Sequence, residues 1–262
     1  MHRVLTIAGS DSGGGAGIQA DLKTFSAFGV YGTSAITALT AQNTLGVQGI
    51  YPVSPEFIVQ QLESILGDIG TDAAKTGMLA TEDVIDAVVV CLGKYSVRRL
   101  VVDPVMVAKS GDPLLEESAR EALRRRLIPL AEIITPNLLE AEALCGEKIT
   151  NLDGLERAAA ALTKLGCQWV VVKGGARLKG VDVVHDGRRL HRLEAVYHDT
   201  VHTHGSGCTF SAAIAAARAK GLEPLEAIRR AKSYISEAIR AGGGVGRGRG
   251  PAQHLAGLES PW

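Results

Sequence analysis

The chain has 262 residues, of which 46 % are hydrophobic, and its 28 basic and 28 acidic side chains give a formal net charge of zero. This composition supports a large buried core and excludes an intrinsically disordered chain. A neutral chain carries no electrostatic footprint for nucleic acid or an anionic membrane, so a small-molecule ligand is expected.

The four cysteines are scattered and form no CxxC pair, which is typical of a reducing cytosol rather than of a disulfide scaffold. The N-terminal apolar run is too short for a signal peptide, and no segment approaches the roughly 20 apolar residues of a membrane helix. We therefore expect a soluble, cytoplasmic protein.

Short apolar runs rich in β-branched residues alternate with helical patterns along most of the chain. The predicted strands are residues 4–8, 34–40, 72–75, 100–103, 133–135 and 169–173. The predicted helices are residues 18–28, 55–66, 82–92, 116–127, 138–144 and 155–165. Strands that are apolar throughout and alternate with helices predict an α/β fold, with a central, mostly parallel sheet and helices on both faces.

After residue 173 the pattern becomes antiparallel. Segments 181–185 and 189–193 flank Asp186-Gly187, a dipeptide favoured in type I′ turns, and predict a β-hairpin. Two helices are predicted at residues 208–220 and 224–241, separated by a helix stop and restart. No linker or repeat interrupts the chain, so we predict a single domain over residues 1–262.

Polar residues and glycines follow the predicted strands. In open parallel sheets, ligands bind beyond the carboxyl ends of the strands. The segments at these ends are Gly9-Ser10-Asp11, Gln42-Asn43-Thr44, Gly77-Met78, Asp103-Pro104, Pro136-Asn137 and Gly174-Gly175. We expect them to meet at one rim of the sheet.

The glycine-rich segment after the first strand resembles the G-x-G-x-x-G/A pattern of dinucleotide-binding proteins. That pattern also expects an acidic residue about 20 positions later to hold the ribose, yet no Asp or Glu occurs between Asp21 and Glu56. A dinucleotide oxidoreductase is therefore disfavoured. The loop can still let the backbone approach a ligand, with Asp21 facing it, and the structural alternative is a capped helix start with Asp21 in solvent.

Two strand ends carry candidate phosphate-binding groups. Asn137 and Glu140 have the spacing of a helix capping box, and Glu140 could instead help hold hydrated Mg²⁺ beside nucleotide phosphates. Lys173 could meet a phosphate as a point charge or simply end a strand. The residues alone leave both alternatives open.

The segment Gly205-Ser206-Gly207-Cys208 begins a long, alanine-rich helix. Backbone N–H groups at a helix N-terminus form a site for negative charge, and the same position lowers a cysteine pKa from about 8.5 to roughly 3.5–7.5. Cys208 is therefore a candidate general base or nucleophile, and the alternative is a small residue packed in the first turn. The nearby His198, His202 and His204 are interpreted as hydrogen-bonding groups rather than metal ligands.

Taken together, eight segments resemble the hydroxymethylpyrimidine/phosphomethylpyrimidine kinases of thiamine biosynthesis. They are AGSDSGGGAGIQADLKTF, ALTAQNT, KTGML, VVDPVMVAKSGD, ITPNLLEA, VVVKGG, HGSGCTFSAAIAA and GRGRGPAQH. The resemblance runs in order over essentially the whole chain. It implies a ribokinase-like fold, ATP and Mg²⁺ as cofactors, a homodimer, and phosphorylation of 4-amino-5-hydroxymethyl-2-methylpyrimidine and then of its monophosphate.

The resemblance also implies site residues. The substrate pocket would be formed by Gln42, which would read the aminopyrimidine edge, and by Gly9, Asp21, Met78 and Val105. The ATP phosphates and, indirectly through Glu140, Mg²⁺ would be held by Asp103, Asn137, Glu140 and Lys173. The anion hole would be Gly205, Ser206 and Gly207, with Cys208 activating the acceptor hydroxyl for in-line attack where most ribokinase relatives have an Asp.

Two alternatives remain. A cysteine-bearing branch of the superfamily accepts vitamin B6 substrates, so a pyridoxal/pyridoxine kinase is the alternative enzyme, and Gln42 and Met78 argue against it. A ligand-binding protein that has lost the chemistry is disfavoured by the presence of Lys173, Glu140 and Cys208.

Overall fold

The computed structural model describes residues 1–107 and 114–256. Within these ranges one sheet has the strand order β3-β2-β1-β4-β5-β6-β7-β8-β9. The strands are β1 (Arg3–Asp11), β2 (Tyr31–Asn43), β3 (Gly46–Pro52), β4 (Ala73–Thr76), β5 (Leu100–Val102), β6 (Ile133–Ile134), β7 (Trp169–Lys173), β8 (Asp182–His185) and β9 (Leu190–Leu193). β1, β2 and β4–β7 are mutually parallel, whereas β3, β8 and β9 pair in antiparallel fashion at the two edges.

Helices cover both faces of the sheet. They are α1 (Gly17–Ala27), α2 (Pro55–Ser64), α3 (Glu82–Lys94), α4 (Glu117–Ala122), α5 (Leu138–Cys145), α6 (Leu152–Leu162), α7 (Ser206–Ala219) and α8 (Pro224–Arg240). Successive strand side chains point to opposite faces, so Leu100 and Val102 join the core beneath α2–α6 while Val101 joins the core beneath α1, α7 and α8. The predicted α/β architecture is confirmed.

The position of β1 fixes where a ligand can bind. β1 has β2 on one side and β4 on the other, both parallel to it, so the strand order reverses at this point. A crevice forms beyond the carboxyl ends of the strands at such a switch point. β1 ends at Asp11, which places the following glycine-rich segment in this crevice.

One edge strand has no counterpart among the predicted elements. β3 pairs with β2 through backbone hydrogen bonds, but its side chains from Gln48 to Pro52 are exposed. A strand that buries neither face has no apolar alternation for a sequence pattern to detect. Its partner β2 is also longer than predicted, because pairing with β3 extends it to Asn43.

The hairpin of β8 and β9 is confirmed, but the predicted type I′ turn at Asp186-Gly187 is wrong. The backbone N–H of Asp186 donates to the Arg189 carbonyl at 3.1 Å, so the central residues are Gly187 and Arg188. Only Gly187 has a positive φ, 87°, as in a type II′ turn. The Asp186 carboxylate accepts the backbone N–H groups of Arg188 and Arg189, which keeps Asp186 at the first corner.

Two predicted helices end differently from the expected regular α-helix. α2 and α4 each continue into a π-helical turn, at Ile65–Ile69 and Leu123–Leu127 respectively. Among the helices of the described ranges, none combines the length and apolarity needed to cross a membrane.

Candidate active site

A cavity opens at the carboxyl ends of the parallel strands, and its interior together with its open mouth measures about 810 Å³. The predicted site residues in its wall are Gly9, Gln42, Met78, Asp103, Val105, Asn137, Glu140, Lys173, Gly205, Gly207 and Cys208. The strand ends therefore converge on one rim, as expected. Asp21 and Ser206 are the two predicted residues that do not line this cavity.

Asp21 is displaced from the cavity wall by Lys75. Both side chains are fully buried, and the Lys75 Nζ lies 2.9 and 3.0 Å from the two Asp21 carboxylate oxygens. Lys75 lines the cavity, whereas Asp21 lies behind it and also accepts a hydrogen bond from Thr6 Oγ1 at 2.6 Å. The expectation that Asp21 lines the substrate pocket is wrong, because β4 brings a longer side chain between α1 and the cavity.

The glycine-rich segment after β1 is held by the Asp11 carboxylate. It accepts the backbone N–H groups of Gly13, Gly15 and Ala16 at 2.8–3.0 Å, and His204 Nε2 lies 2.9 Å from its Oδ2. Burial opposes ionisation of Asp11, but His204 and these N–H groups hold its pKa below the usual value. An ionised Asp11 thus fixes the loop that forms one wall of the cavity.

The N-terminus of α7 packs tightly on that loop. Gly205, the residue before the helix, has a φ of 73°, and a Cβ on it would lie 1.7 Å from the Gly15 carbonyl oxygen. Only glycine fits such a backbone contact. Gly207 and Cys208, in the first turn, face the cavity, so this end of α7 presents its N–H groups to whatever binds there.

The predicted low pKa of Cys208 is wrong for the ligand-free site. Burial raises the pKa of the thiol to about 11; nearby Lys75 and the Gly17 N–H oppose this, while Asp21 and Asp103 add to it. The rule for helix N-termini considers only the local backbone, whereas desolvation and carboxylates from α1 and β5 act through the tertiary structure. The thiol is therefore protonated at neutral pH.

Next to the first turn of α7, where a Cβ on Gly207 would lie 3.4 Å from the Lys173 Nζ, Lys173 meets two acidic residues. Its Nζ lies 3.1 Å from Asp103 Oδ1, and Asp103 also accepts hydrogen bonds from Thr135 and Ser211. Burial raises the pKa of Glu140 to about 7; Lys173 opposes this rise and Asp103 adds to it. Two carboxylates thus share one ammonium, which leaves this corner with excess negative charge when both are ionised.

The structure confirms the capping alternative for Asn137 and Glu140 and keeps both side chains in the cavity wall. The Glu140 N–H donates to Asn137 Oδ1 at 2.9 Å and the Asn137 N–H donates to Glu140 Oε2 at 2.8 Å, which is a complete capping box. Both side chains also line the cavity. Capping therefore fixes Glu140 in place and does not remove it from the site.

Nearly the whole chain is similar to proteins of a known family. A family model for phosphomethylpyrimidine kinase matches residues 11–253. The chain is 46 % identical over 259 residues to the hydroxymethylpyrimidine/phosphomethylpyrimidine kinase of Bacillus subtilis, covering 98 % of this chain and 96 % of that protein. The chain belongs to the phosphomethylpyrimidine kinase family.

Two further relatives define the kinase more closely. The chain is 50 % identical to the thiamine biosynthesis bifunctional protein ThiED of Geobacter sulfurreducens. The match covers 98 % of this chain but 53 % of that protein, so the chain spans about half of that relative's length. The crystal structure of an ADP complex of Bacillus subtilis pyridoxal kinase superimposes with a TM-score of 0.92 and 45 % identity, over 98 % of each chain. The chain is a kinase with the ribokinase-like fold that the sequence resemblance implied.

Among the residues that line the cavity, three with titratable side chains were not assigned a role in the site from the sequence: Asp11, Lys75 and His204. Asp11 and Lys75 lie inside two of the resembling segments, but neither has a local pattern that indicates its partner. Asp11 pairs with a residue 193 positions away and Lys75 with one 54 positions away. His204 was interpreted as a hydrogen-bonding group, and it has that role toward Asp11.

Proposed function

We propose that this kinase transfers the γ-phosphoryl group of ATP to 4-amino-5-hydroxymethyl-2-methylpyrimidine and then to its monophosphate. The observation that carries the proposal is the single cavity in which Cys208 and the α7 N-terminus lie between two kinds of wall. Gln42, Met78 and Val105 supply an amide and apolar surface suited to an aminopyrimidine ring. Lys173, Asp103 and Glu140 supply the charged side suited to a nucleotide phosphate and its cation.

The anion hole would stabilise the phosphoryl group during its transfer. Backbone N–H groups at Gly205–Gly207 and the dipole of α7 would stabilise negative charge on its oxygens, and Lys173 would meet them as a point charge. Phosphoryl transfer has a loose transition state in most analyses, so positioning and charge stabilisation account for most of the catalysis. The site geometry supports both.

The role of Cys208 follows from the two acceptors. A hydroxymethyl group must lose a proton when it is phosphorylated, whereas a phosphate monoester already carries a negative oxygen at neutral pH. The thiol, protonated in the ligand-free site, would therefore orient the acceptor in both steps. It would act as a base only in the first step, and only once bound substrates had removed its own proton. This difference separates the two roles experimentally.

Mg²⁺ is the implied metal, and the residues present fit it. The excess negative charge of Asp103 and Glu140 beside one lysine favours a cation, and Mg²⁺ usually takes one or two carboxylates with water and substrate phosphates. Within residues 1–107 and 114–256, no three His, Cys, Asp or Glu side chains converge as a metal cage, which agrees with an ion held mainly by ATP. Bound there, Mg²⁺ would neutralise phosphate charge, and Glu140 would hold it indirectly.

A turnover assay tests the function. Purified kinase, ATP and Mg²⁺ are incubated with the hydroxymethylpyrimidine, and ³¹P NMR follows the monophosphate and then the diphosphate. Pyridoxal is assayed in parallel, because one close structural relative is a pyridoxal kinase. Faster phosphorylation of pyridoxal, or no pyrimidine diphosphate, contradicts the proposal.

Cys208→Ala separates base from positioning when each acceptor is assayed alone. A base predicts a loss of about 10²–10⁴-fold in the first phosphorylation with the second nearly unchanged. Positioning predicts comparable losses in both steps. Near-wild-type turnover in both steps with intact ATP binding would show that Cys208 has neither role.

We further propose that the kinase is a cytoplasmic homodimer and that residues 1–262 form one domain. These expectations come from the family resemblance and from the uninterrupted pattern of the chain. Light scattering of the purified protein tests the dimer, for which the expected mass is twice the 27.5 kDa of the chain.

A further inference from the structure

Lys75 is the charged group most completely withdrawn from solvent in the cavity wall. Its side chain and that of its partner Asp21 both have 0 % exposure. Taking two charges out of water costs several kcal/mol per ion, and the pair's attraction often does no more than offset this. Stability alone therefore does not explain a buried ion pair at this place.

Asp21 accepts only two of the three N–H groups of the Lys75 ammonium. A lysine ammonium has three N–H donors, and two are directed at the Asp21 oxygens at 2.9 and 3.0 Å. No third acceptor for Lys75 Nζ is found in the described part of the chain. Lys75 belongs to the cavity wall together with Cys208 and Met78 but is not exposed to solvent in the ligand-free protein, so an acceptor bound in the cavity is the partner left for its third N–H.

The surroundings hold Lys75 in this position. A Cβ on Gly77 would lie 2.9 Å from Lys75 Nζ, so glycine at 77 leaves the space that the ammonium needs. Thr6 Oγ1 fixes the Asp21 carboxylate from behind. Burial alone would lower the pKa of Lys75, but Asp21 and other negative neighbours raise it above the usual value, so the ammonium keeps all its protons.

The two cavity lysines have different surroundings. Lys173 contacts Asp103 on the side assigned to the nucleotide, and its exposed fraction is 16 %. Lys75 is fully buried on β4, three residues before Met78 of the side assigned to the acceptor, and two hydrogen bonds hold its ammonium on Asp21. Both lysines interact electrostatically with Cys208, so the thiol is near both ammonium groups.

We propose that Lys75 is a catalytic residue whose third N–H donates to the acceptor oxygen that attacks the phosphoryl group, with Asp21 as the residue that positions it. The inference rests on the proposed function. A lone pair of the acceptor oxygen forms the new P–O bond, and the bond from the γ-phosphorus to the bridging oxygen breaks with its electrons going to ADP. The hydroxyl proton leaves to Cys208 where the thiolate serves as base, or otherwise to solvent or product phosphate, and Lys75 remains protonated throughout.

The test removes both charges of the pair together. Lys75→Met alone would leave Asp21 buried and unpaired, so the variant is Asp21→Asn with Lys75→Met, which removes the ion pair at nearly constant volume. We expect kcat to fall by about 10²–10³-fold, as for loss of one preorganised donor to a developing oxyanion. The ATP dissociation constant, measured by calorimetry, should stay near the wild-type value, because the hydrogen bonds of Lys75 go to Asp21 and not to the residues assigned to the nucleotide.

A second buried pair provides the matched control. Arg218 and Glu132 form hydrogen bonds of 2.6 and 2.9 Å with side chains about 10 % exposed, and Glu132 lies before β6, at the end of the sheet away from the cavity. Glu132→Gln with Arg218→Met should lower the melting temperature without a comparable loss of kcat. An equal loss of kcat in this control would show that the Lys75 variant loses activity only because the protein is less stable, and it would overturn the inference.

The assay uses the acceptor, hydroxymethylpyrimidine or pyridoxal, that wild-type kinase phosphorylates faster. A preference for pyridoxal refutes the proposed function but leaves the role of Lys75 to be judged on that acceptor. An active wild type with an equally active Asp21→Asn/Lys75→Met variant overturns the inference alone. A wild type without turnover on either acceptor overturns both.

Discussion

His204 Nε2 lies 2.9 Å from Asp11 Oδ2, although 193 residues separate the two in the chain. The same carboxylate accepts the N–H groups of Gly15 and Ala16, so the pair joins the loop after β1 to the loop before α7. These two loops form neighbouring walls of the cavity. This buried contact, together with the packing of Gly205 on Gly15, fixes their relative position.

A double-mutant cycle measures that contact. Asp11→Asn, His204→Asn and the double variant are unfolded with urea, and we expect a coupling free energy of about 1 kcal/mol, within the range for contacting residues. Both single variants should also raise the KM for the acceptor. The same cycle at His191 and Asp186, 2.9 Å apart in the β8–β9 hairpin, should leave KM unchanged, and additive effects at Asp11 and His204 would contradict the contact's role.

Glu140→Gln should stabilise the ligand-free kinase above neutral pH. Burial raises the pKa of Glu140 from 4.5 to about 7, so its contribution to stability is full below pH 4.5 and is lost as pH rises through about 7. Glutamine keeps an oxygen for the Asn137 N–H and has no charge to bury. We expect a gain on the order of 2 kcal/mol at pH 8 and no gain at pH 4.5.

The same substitution should weaken nucleotide binding. If Glu140 helps to hold Mg²⁺, Glu140→Gln should lower the affinity for ATP in the presence of Mg²⁺ and change it little with EDTA. Calorimetric titrations under both conditions provide the measurement. Equal ATP affinity of the wild type and the Glu140→Gln variant in the presence of Mg²⁺ would show that Glu140 does not help to hold the metal.

Gly205→Ala should disrupt the cavity far more than a matched substitution at the other end of α7. Gly205 and Gly221 have φ values of 73° and 89°, but a Cβ at 205 meets the Gly15 oxygen at 1.7 Å while one at 221 has nothing within 4 Å. Both variants bear the cost of a strained φ, roughly 1–3 kcal/mol. Only Gly205→Ala should also abolish turnover, and similar kcat values for the two variants would refute the close packing.

Alkylation reports the protonation state of Cys208. With its pKa raised to about 11, the thiol of the ligand-free kinase should react with iodoacetamide at a rate that keeps rising with pH beyond 9. Mass spectrometry of the peptide containing Cys208 follows the reaction, with Cys208→Ala as the blank. A plateau below pH 8 would show that the helix N-terminus outweighs burial and the carboxylates of Asp21 and Asp103.

Local signals explain what could be predicted about the fold. The buried parallel strands can be recognised in the sequence as short apolar runs. The capping pair Asn137 and Glu140 can be recognised from its spacing within one helical turn. β3 was not predicted, because its exposed side chains form no apolar alternation in the sequence. The strand forms through backbone hydrogen bonds to β2. The type II′ turn at Gly187 depends on how the Asp186 side chain bonds to the next residues.

The sequence by itself determined the α/β architecture, the rim at which the strand ends meet and the glycine-rich start of α7, because each follows from neighbouring residues or from the order of elements. Only the tertiary structure decided that Lys75, rather than Asp21, faces the cavity, and that the Cys208 thiol keeps its proton. Burial and the charges of residues far apart in the chain control both outcomes. A local sequence pattern carries no information about the distances between such residues.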